Sequence, residues 1–187
     1  MVAPVRRIVT GQAADGKSVF THIEEIRPLR KSNNIAWHGV WGWDEVPTLP
    51  FLSEEPYEPR SIFPGDGQVR VNTIVFPPGY GVSPQVASGT EEELAAVARD
   101  EAVYAQLMAA QSPGGARGVG GMHSTDTVDL GFVHSGEITL VQDDGAEVVL
   151  RSNDILVQHG ATHAWRNKGD QPCVVTFVVT GSRRISG

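Results

Sequence analysis

Residues 121–167 read GMHSTDTVDLGFVHSGEITLVQDDGAEVVLRSNDILVQHGATHAWRN, and this stretch decides the fold. Apolar residues recur in it in short runs that turn residues separate, which is the pattern of β-strands rather than of helices. Asp144-Gly145, between two such runs, is a strong β-hairpin signal. The pattern predicts strands over 127–142, 146–150, 155–157 and 174–180.

The first eighty residues continue the same pattern. Predicted strands cover residues 7–10, 18–23, 35–43 and 69–76, with turn residues between them. The segment 45–67 holds five prolines, which cannot donate to a β-ladder, so it is predicted to be an extended arm. Many short strands of this kind indicate an all-β sandwich or closed barrel.

One helix interrupts the strands and is predicted over residues 90–111. Thr90 with Glu93 three residues later is a capping box, and apolar residues follow at helical spacing. The glycine-rich segment 112–121 is predicted to be a flexible connection or a lid. It lacks the strand and helix that flank a phosphate-binding loop, so phosphate binding is disfavoured.

Composition limits the class of protein. A chain of 187 residues with 40% hydrophobic residues can form one domain, 1–187, with a sizeable core. The net charge of −7 disfavours nucleic acid and anionic membranes as partners. Residues 1–8 lack the apolar core of a secretory signal and no apolar run is long enough to span a bilayer, so we expect a cytoplasmic protein. Cys173 lies in an apolar run and is predicted to be a buried thiol.

A concentration of histidines indicates a metal site. Four of the six lie between positions 123 and 163: His123, His134, His159 and His163. In a strand, side chains at even separations share a face, so His123, Thr125 and Asp129 are predicted to point to one side. His134 has the opposite parity and is predicted to face away, while His163 would arrive from a second strand.

These residues resemble the two motifs of the cupins, small jelly-roll barrels. In the first motif, His-x-His, Glu and Gly compare with His123, Thr125, Asp129 and Gly136. In the second, Pro-x-Gly-x-x-His and Asn compare with Gln158, Gly160, His163 and Asn167. The resemblance covers about residues 121–180, and it departs from the motifs at Thr125, Asp129 and Gln158.

The resemblance implies a double-stranded β-helix in which 121–180 form the metal-motif half of the barrel. Residues 1–80 would supply an N-terminal β extension and the proline-rich arm, and 90–111 one inserted helix. Carried over position by position, His123, Asp129 and His163 are the expected ligands of a divalent Fe, Zn, Mn or Ni ion. Thr125 replaces the remaining imidazole. Two histidines and one carboxylate are also the ligand set of non-haem Fe(II) sites.

Further residues have expected roles around that site. Gln158 and His159 are the catalytic candidates, for orienting substrate or relaying a proton, and His159 is equally suited to the rim. Thr125, Trp165 and Trp41 are the substrate-binding candidates. Three tryptophans, Trp37, Trp41 and Trp43, have even spacing and are predicted to share one face, either as core or dimer interface or as the apolar wall of a pocket.

The preferred hypothesis is a metal-dependent cupin enzyme that acts on a small organic molecule by redox-neutral chemistry, such as decarboxylation, dehydration, isomerisation or cyclisation. An Fe(II)-dependent dioxygenase and a non-catalytic small-molecule binding barrel are the alternatives. Because cupins commonly dimerise by exchanging N-terminal strands, the resemblance also implies a homodimer.

Overall fold

A computed structural model describes residues 4–29, 35–51, 57–82, 90–92, 94–95, 98–99, 102 and 121–185. Within these ranges the chain forms ten β-strands. They are β1 Arg6–Gln12, β2 Ser18–Glu25, β3 Ala36–Trp43, β4 Val69–Phe76, β5 Thr127–Ser135, β6 Glu137–Gln142, β7 Glu147–Arg151, β8 Ile155–Gln158, β9 His163–Arg166 and β10 Cys173–Gly181.

The strands form three antiparallel sheets. A five-stranded sheet has the order β3-β4-β10-β5-β8, a three-stranded sheet the order β7-β6-β9, and β1 pairs with β2 alone. Buried residues of the two larger sheets pack together in one core, for example Phe177 and Val175 with Leu140 and Ile138. This is the all-β jelly-roll barrel that the sequence predicts.

Strand β10 shows most clearly why these residues form a two-sided sheet. Its residues alternate strictly between buried and half-buried positions, and it pairs along its length with β4 and β5. Val175 and Phe177 point inward, and burial of each side chain contributes about 1.5–3 kcal/mol. Cys173 is fully buried, which confirms the predicted thiol in the core, and burial raises its pKa to about 12.

Two glycines make the turns of the motif half. Gly145 has φ 84° in the β6–β7 hairpin, where the carboxylate of Asp144 accepts a hydrogen bond from the Ala146 amide at 2.9 Å. Gly136 has φ 72°, and a Cβ there would lie 2.4 Å from the Pro172 carbonyl oxygen. The predicted strand 127–142 is therefore divided at Gly136 into β5 and β6, which belong to different sheets.

The N-terminal extension is a separate two-stranded ribbon. Buried Arg7 connects the ribbon to the five-stranded sheet, because its guanidinium donates to the carbonyls of Val40 on β3 and of Tyr57. Within the ribbon the same guanidinium pairs with Glu24 at 2.8 Å. The described arm residues, 45–51 and 57–67, form no strand, as the prolines predict.

The predicted helix is present in the residues that can be described. Residues 91–92, 94–95, 98–99 and 102 are helical, and the Leu94 amide donates to the Thr90 carbonyl at 3.0 Å. Glu93 of the capping box, residues 103–111 and residues 112–120 of the predicted connection lie outside the described residues. In the described part of the chain, no helix is long and apolar enough to cross a bilayer.

Candidate functional site

A cavity of about 200 Å³ lies between the two larger sheets. Most of its wall is apolar or aromatic and comprises Ile35, Trp37, Phe63, Ile74, Phe76, Tyr80, Trp165, Phe177 and Val179. Five polar side chains complete it, namely Asn72, His123, Thr125, Asp129 and His163. The three predicted metal ligands therefore line one cavity together with two of the predicted substrate-binding residues.

His123 and His163 come together through the backbone. Each donates its amide hydrogen to the other's carbonyl at 2.8 Å, which makes an isolated antiparallel bridge. Directly opposed residues of an antiparallel pair carry their side chains on the same side. The two imidazole centroids are consequently 4.4 Å apart.

Hydrogen bonds assign the proton on each imidazole. His163 Nδ1 lies 2.8 Å from the Ala161 carbonyl oxygen, and His123 Nδ1 lies 3.2 Å from that of Gly121. Because a carbonyl only accepts, each neutral ring carries its hydrogen on Nδ1 and keeps a lone pair on Nε2. Burial lowers the pKa of His163 to about 4, the Ala161 bond opposes that shift and nearby His123 adds to it, so His163 is neutral at pH 7.

Asp129 supplies the carboxylate from β5. Burial raises its pKa to about 6, against the hydrogen bond from Thr127, which lowers it. Gln158 lies directly opposite on β8 and is also buried. Asp129 Oδ1 and Gln158 Nε2 have no hydrogen-bond partner in the described protein. Buried polar atoms are normally hydrogen-bonded, so these two atoms are an exception in the fold, and of the two residues only Asp129 lines the cavity.

Thr125 occupies the position of the missing imidazole. It is buried, lines the cavity and shares a hydrogen bond of 2.7 Å with the Thr127 hydroxyl. Among the described residues, no three His, Cys, Asp or Glu side chains are grouped closely enough to hold one metal ion. The structure brings the two histidines into ring contact, while a three-ligand site with Asp129 stays a prediction.

Three other histidines lie away from the cavity wall. His159 is exposed and does not line it, which places this catalytic candidate at the surface. His134 is exposed with Nε2 2.7 Å from the Thr176 hydroxyl, on the side that its strand parity predicts. His38 is buried next to the Thr73 carbonyl, and burial lowers its pKa.

The three tryptophans of β3 do not lie on one face of the sheet, contrary to what their even spacing predicted. Trp37 pairs with Ile74, whereas Trp41 pairs with Val71, because a register shift inserts Val40 as a bulge. An extra residue reverses the alternation of side chains, so the prediction that the tryptophans share one face is wrong. Trp41 lies outside the cavity and stacks on Tyr57 with ring centroids 5.0 Å apart. Trp165 does line the cavity.

Several cavity residues were missed by the sequence reasoning. Phe76 and Phe177 lie at inward positions of predicted strands, so their parity with buried neighbours was a usable signal. Phe63 and Tyr80 come from connecting segments, which have no periodicity to reveal an inward side chain.

The same part of the chain matches a known family. Residues 110–179, which include both histidine motifs, match the family model described as a cupin domain. This segment of the chain therefore belongs to the cupin family. The match supports the cupin assignment on which the expected ligand positions depend.

Curated proteins resemble this cupin over short segments. It is 47% identical over 47 residues to phomopsin biosynthesis cluster protein C' of Diaporthe leptostromiformis, which is 25% of each chain. It is 37% identical over 46 residues to a cupin-domain-containing oxidoreductase of Hypocrea virens, covering 25% of this chain and 24% of that protein. The matches therefore span about a quarter of these relatives.

Solved structures include cupin barrels with low identity to this chain. A cupin 2 conserved barrel domain protein from Salinispora arenicola is 18% identical, with a TM-score of 0.40 over 85% of this chain and 90% of that one.

Proposed function

We propose that this cupin is an enzyme that binds a small organic molecule in the barrel cavity and converts it by a redox-neutral reaction of lyase or isomerase type. The main support for this proposal is a mostly apolar cavity of about 200 Å³. Its wall contains a buried carboxylate, Asp129, one oxygen of which has no hydrogen-bond partner in the described protein. Ligand sites combine an apolar wall with a few placed polar groups in this way.

The residues of the cavity suit proton transfer. In the metal-free site, the Asp129 carboxylate lines the cavity and would accept a proton from bound substrate, with His163 Nε2 as a second acceptor. Decarboxylation, dehydration and cyclisation all require a proton to be moved, and a positioned base contributes about 100-fold or more to such steps. The Thr125 hydroxyl would orient the substrate, and the Gln158 amide, which lies opposite Asp129 and outside the cavity wall, would hold the carboxylate.

A divalent metal is the second part of the proposal, with His123, Asp129 and His163 as the residues that would hold it. Support comes from the two Nδ1 atoms, which donate to backbone carbonyls as metal-ligating histidines do. When bound, the ion would polarise a carbonyl or carboxylate oxygen of the substrate. Because the described residues form no compact three-ligand group, metal content is the first quantity to measure.

The experiment is elemental analysis of the purified protein after loading with Fe, Zn, Mn or Ni. We expect about one ion per chain in the wild type and its loss in the His123→Ala/His163→Ala variant. His134→Ala is the matched control, because His134 is exposed and faces away. A wild type that retains no ion after any loading overturns the metal part and leaves proton transfer by the protein alone.

An Fe(II)-dependent dioxygenase is the second candidate, and the name of the relative from Hypocrea virens, an oxidoreductase, favours it. Anaerobic loading with Fe(II), followed by oxygen uptake against catechol and diketone panels, separates the two. Oxygen consumed in proportion to product supports the dioxygenase. Tight ligand retention with no product in either assay supports the binding barrel.

A further inference from the structure

We infer that the cavity selects a single-ring aromatic molecule that bears a hydroxyl group, and that it discriminates against carboxylates and non-aromatic rings of the same size. The inference rests on the proposed function, since it takes the same cavity as the substrate site. It depends on the volume of the cavity, on the arrangement of the aromatic rings in its wall and on the hydrogen-bonding groups that the wall presents.

The volume of the cavity suits a ligand with one ring. An apolar cavity of about 150 Å³ is sufficient to bind benzene. The cavity here is about 200 Å³, which leaves room for a ring with a few substituents.

Aromatic rings of several orientations form the wall. Phe76 lies 5.2 Å from Tyr80 and 6.0 Å from Trp165, and Trp165 lies 5.5 Å from Phe177, with interplanar angles of 64°, 32° and 66°. Such tilted rings present both edges and faces. A flat aromatic guest gains edge-to-face and offset contacts there that a saturated ring lacks.

The polar part of the wall presents acceptors. Because Nδ1 of His123 and of His163 donates to a backbone carbonyl, each ring keeps an Nε2 lone pair, and the Asp129 carboxylate lines the same cavity. Asn72 donates to the Ile62 carbonyl. A ligand hydroxyl therefore finds acceptors, whereas a ligand carboxylate meets the like charge of the Asp129 carboxylate, which is unfavourable in a buried site.

The test uses the full chain freed of metal by dialysis against EDTA, with ligand binding measured by calorimetry at pH 7.5. The three probes are p-cresol, p-toluate and 4-methylcyclohexanol, which have similar size and differ in the feature under test. We expect p-cresol to bind at least tenfold more tightly than either of the others. Equal or tighter binding of p-toluate or 4-methylcyclohexanol would overturn the inference.

The variant Asp129→Asn tests whether the Asp129 carboxylate disfavours a ligand carboxylate, because it replaces the carboxylate by an amide that also donates hydrogen bonds. The preference for p-cresol over p-toluate should fall at least tenfold, and Asp144→Asn, at an exposed turn, should leave it unchanged. An unchanged preference in folded Asp129→Asn contradicts the role of Asp129. If this variant does not fold, the ranking of probes by the wild type still decides the inference.

Turnover distinguishes this inference from the proposed function. Selective binding of p-cresol without conversion of any phenol supports the inference and contradicts the enzyme. Conversion of a non-aromatic substrate in the same cavity supports the enzyme and contradicts the inference.

Discussion

The two faces of the five-stranded sheet differ in burial and composition, although the same strands form both. The inward face carries Asp129, Ile74 and Phe177, which are buried and line the cavity. The outward face carries Leu130, which is 39% exposed, and Ile155, which is 64% exposed. Since successive side chains in a strand alternate between faces, each segment contributes to both environments.

The outward face is unusual for a sheet with a solvent side. None of the outward positions of these five described strands is Asp, Glu, Lys or Arg. Its clearest polar feature is a row in which the Thr176 hydroxyl lies 2.8 Å from that of Thr73 and 2.7 Å from His134 Nε2. The exposed apolar part of this face includes Leu130, Ile155 and Val157, and Leu130 pairs directly with Val157. Exposed apolar residues that lie side by side are typical of an interface. Substitutions on the outward face therefore test the predicted homodimer, and substitutions on the inward face test the predicted chemistry.

The largest difference between the faces should appear in stability. Phe177→Ala removes an inward ring and should lower the free energy of unfolding by about 3–5 kcal/mol. Val178→Ala, the next residue, points outward and is half-buried, so its cost should be below about 1 kcal/mol. Urea denaturation of both variants measures the contrast, and equal costs would contradict the assignment of the faces.

The pH dependence of stability should separate Asp129 from His163. The pKa of Asp129 is raised in the fold to about 6, so its contribution is present at low pH and is lost as pH rises from about 4 to 6. The pKa of His163 is lowered to about 4, so its contribution is lost as pH falls from 6.5 to 4. The two effects oppose each other in one pH window.

Substitution of either residue should leave the pH dependence of stability that the other residue contributes. In metal-free protein, the stability of Asp129→Asn relative to wild type should rise with pH across this window, by up to about 3 kcal/mol. That of His163→Gln should fall with pH. Thermal unfolding between pH 4 and 7 measures both, with His134→Gln as the outward-face control. Parallel pH profiles for all variants would contradict the opposing shifts.

Catalysis should depend on the inward carboxylate. In Asp129→Asn, turnover of a converted substrate should fall about 100-fold or more, because the amide cannot accept the proton. Asp144→Asn should retain the wild-type rate. A fall in affinity with an unchanged turnover number would restrict Asp129 to binding.

The smallest expected effect concerns association. Val157→Lys places a charge on the outward face of β8, where Val157 is 53% exposed, and should weaken a homodimer at least tenfold. Val148→Lys is the control, since Val148 is 51% exposed on β7 of the other sheet. Light scattering across a concentration series measures the mass. A wild type that is monomeric throughout contradicts the homodimer.

Much of the site could be predicted because its signals are local. The spacing of His123 and Asp129 predicted that they share a strand face, the resemblance to cupins implied that His163 joins them, and all three line one cavity. The position of Trp41 could not be predicted, because the bulge at Val40 arises from pairing with β4 rather than from the residues around it.

The sequence by itself determined most of the strands, the hairpin at Asp144-Gly145, the buried thiol and the polar residues of the site, because alternation and turn propensity are properties of neighbouring residues. Only the tertiary structure decided that Phe63 and Tyr80 would complete the aromatic wall, that Gly136 would divide one run between two sheets, and that the outward face would lack charge. These features depend on which distant segments become neighbours, and contacts across the barrel settle that choice.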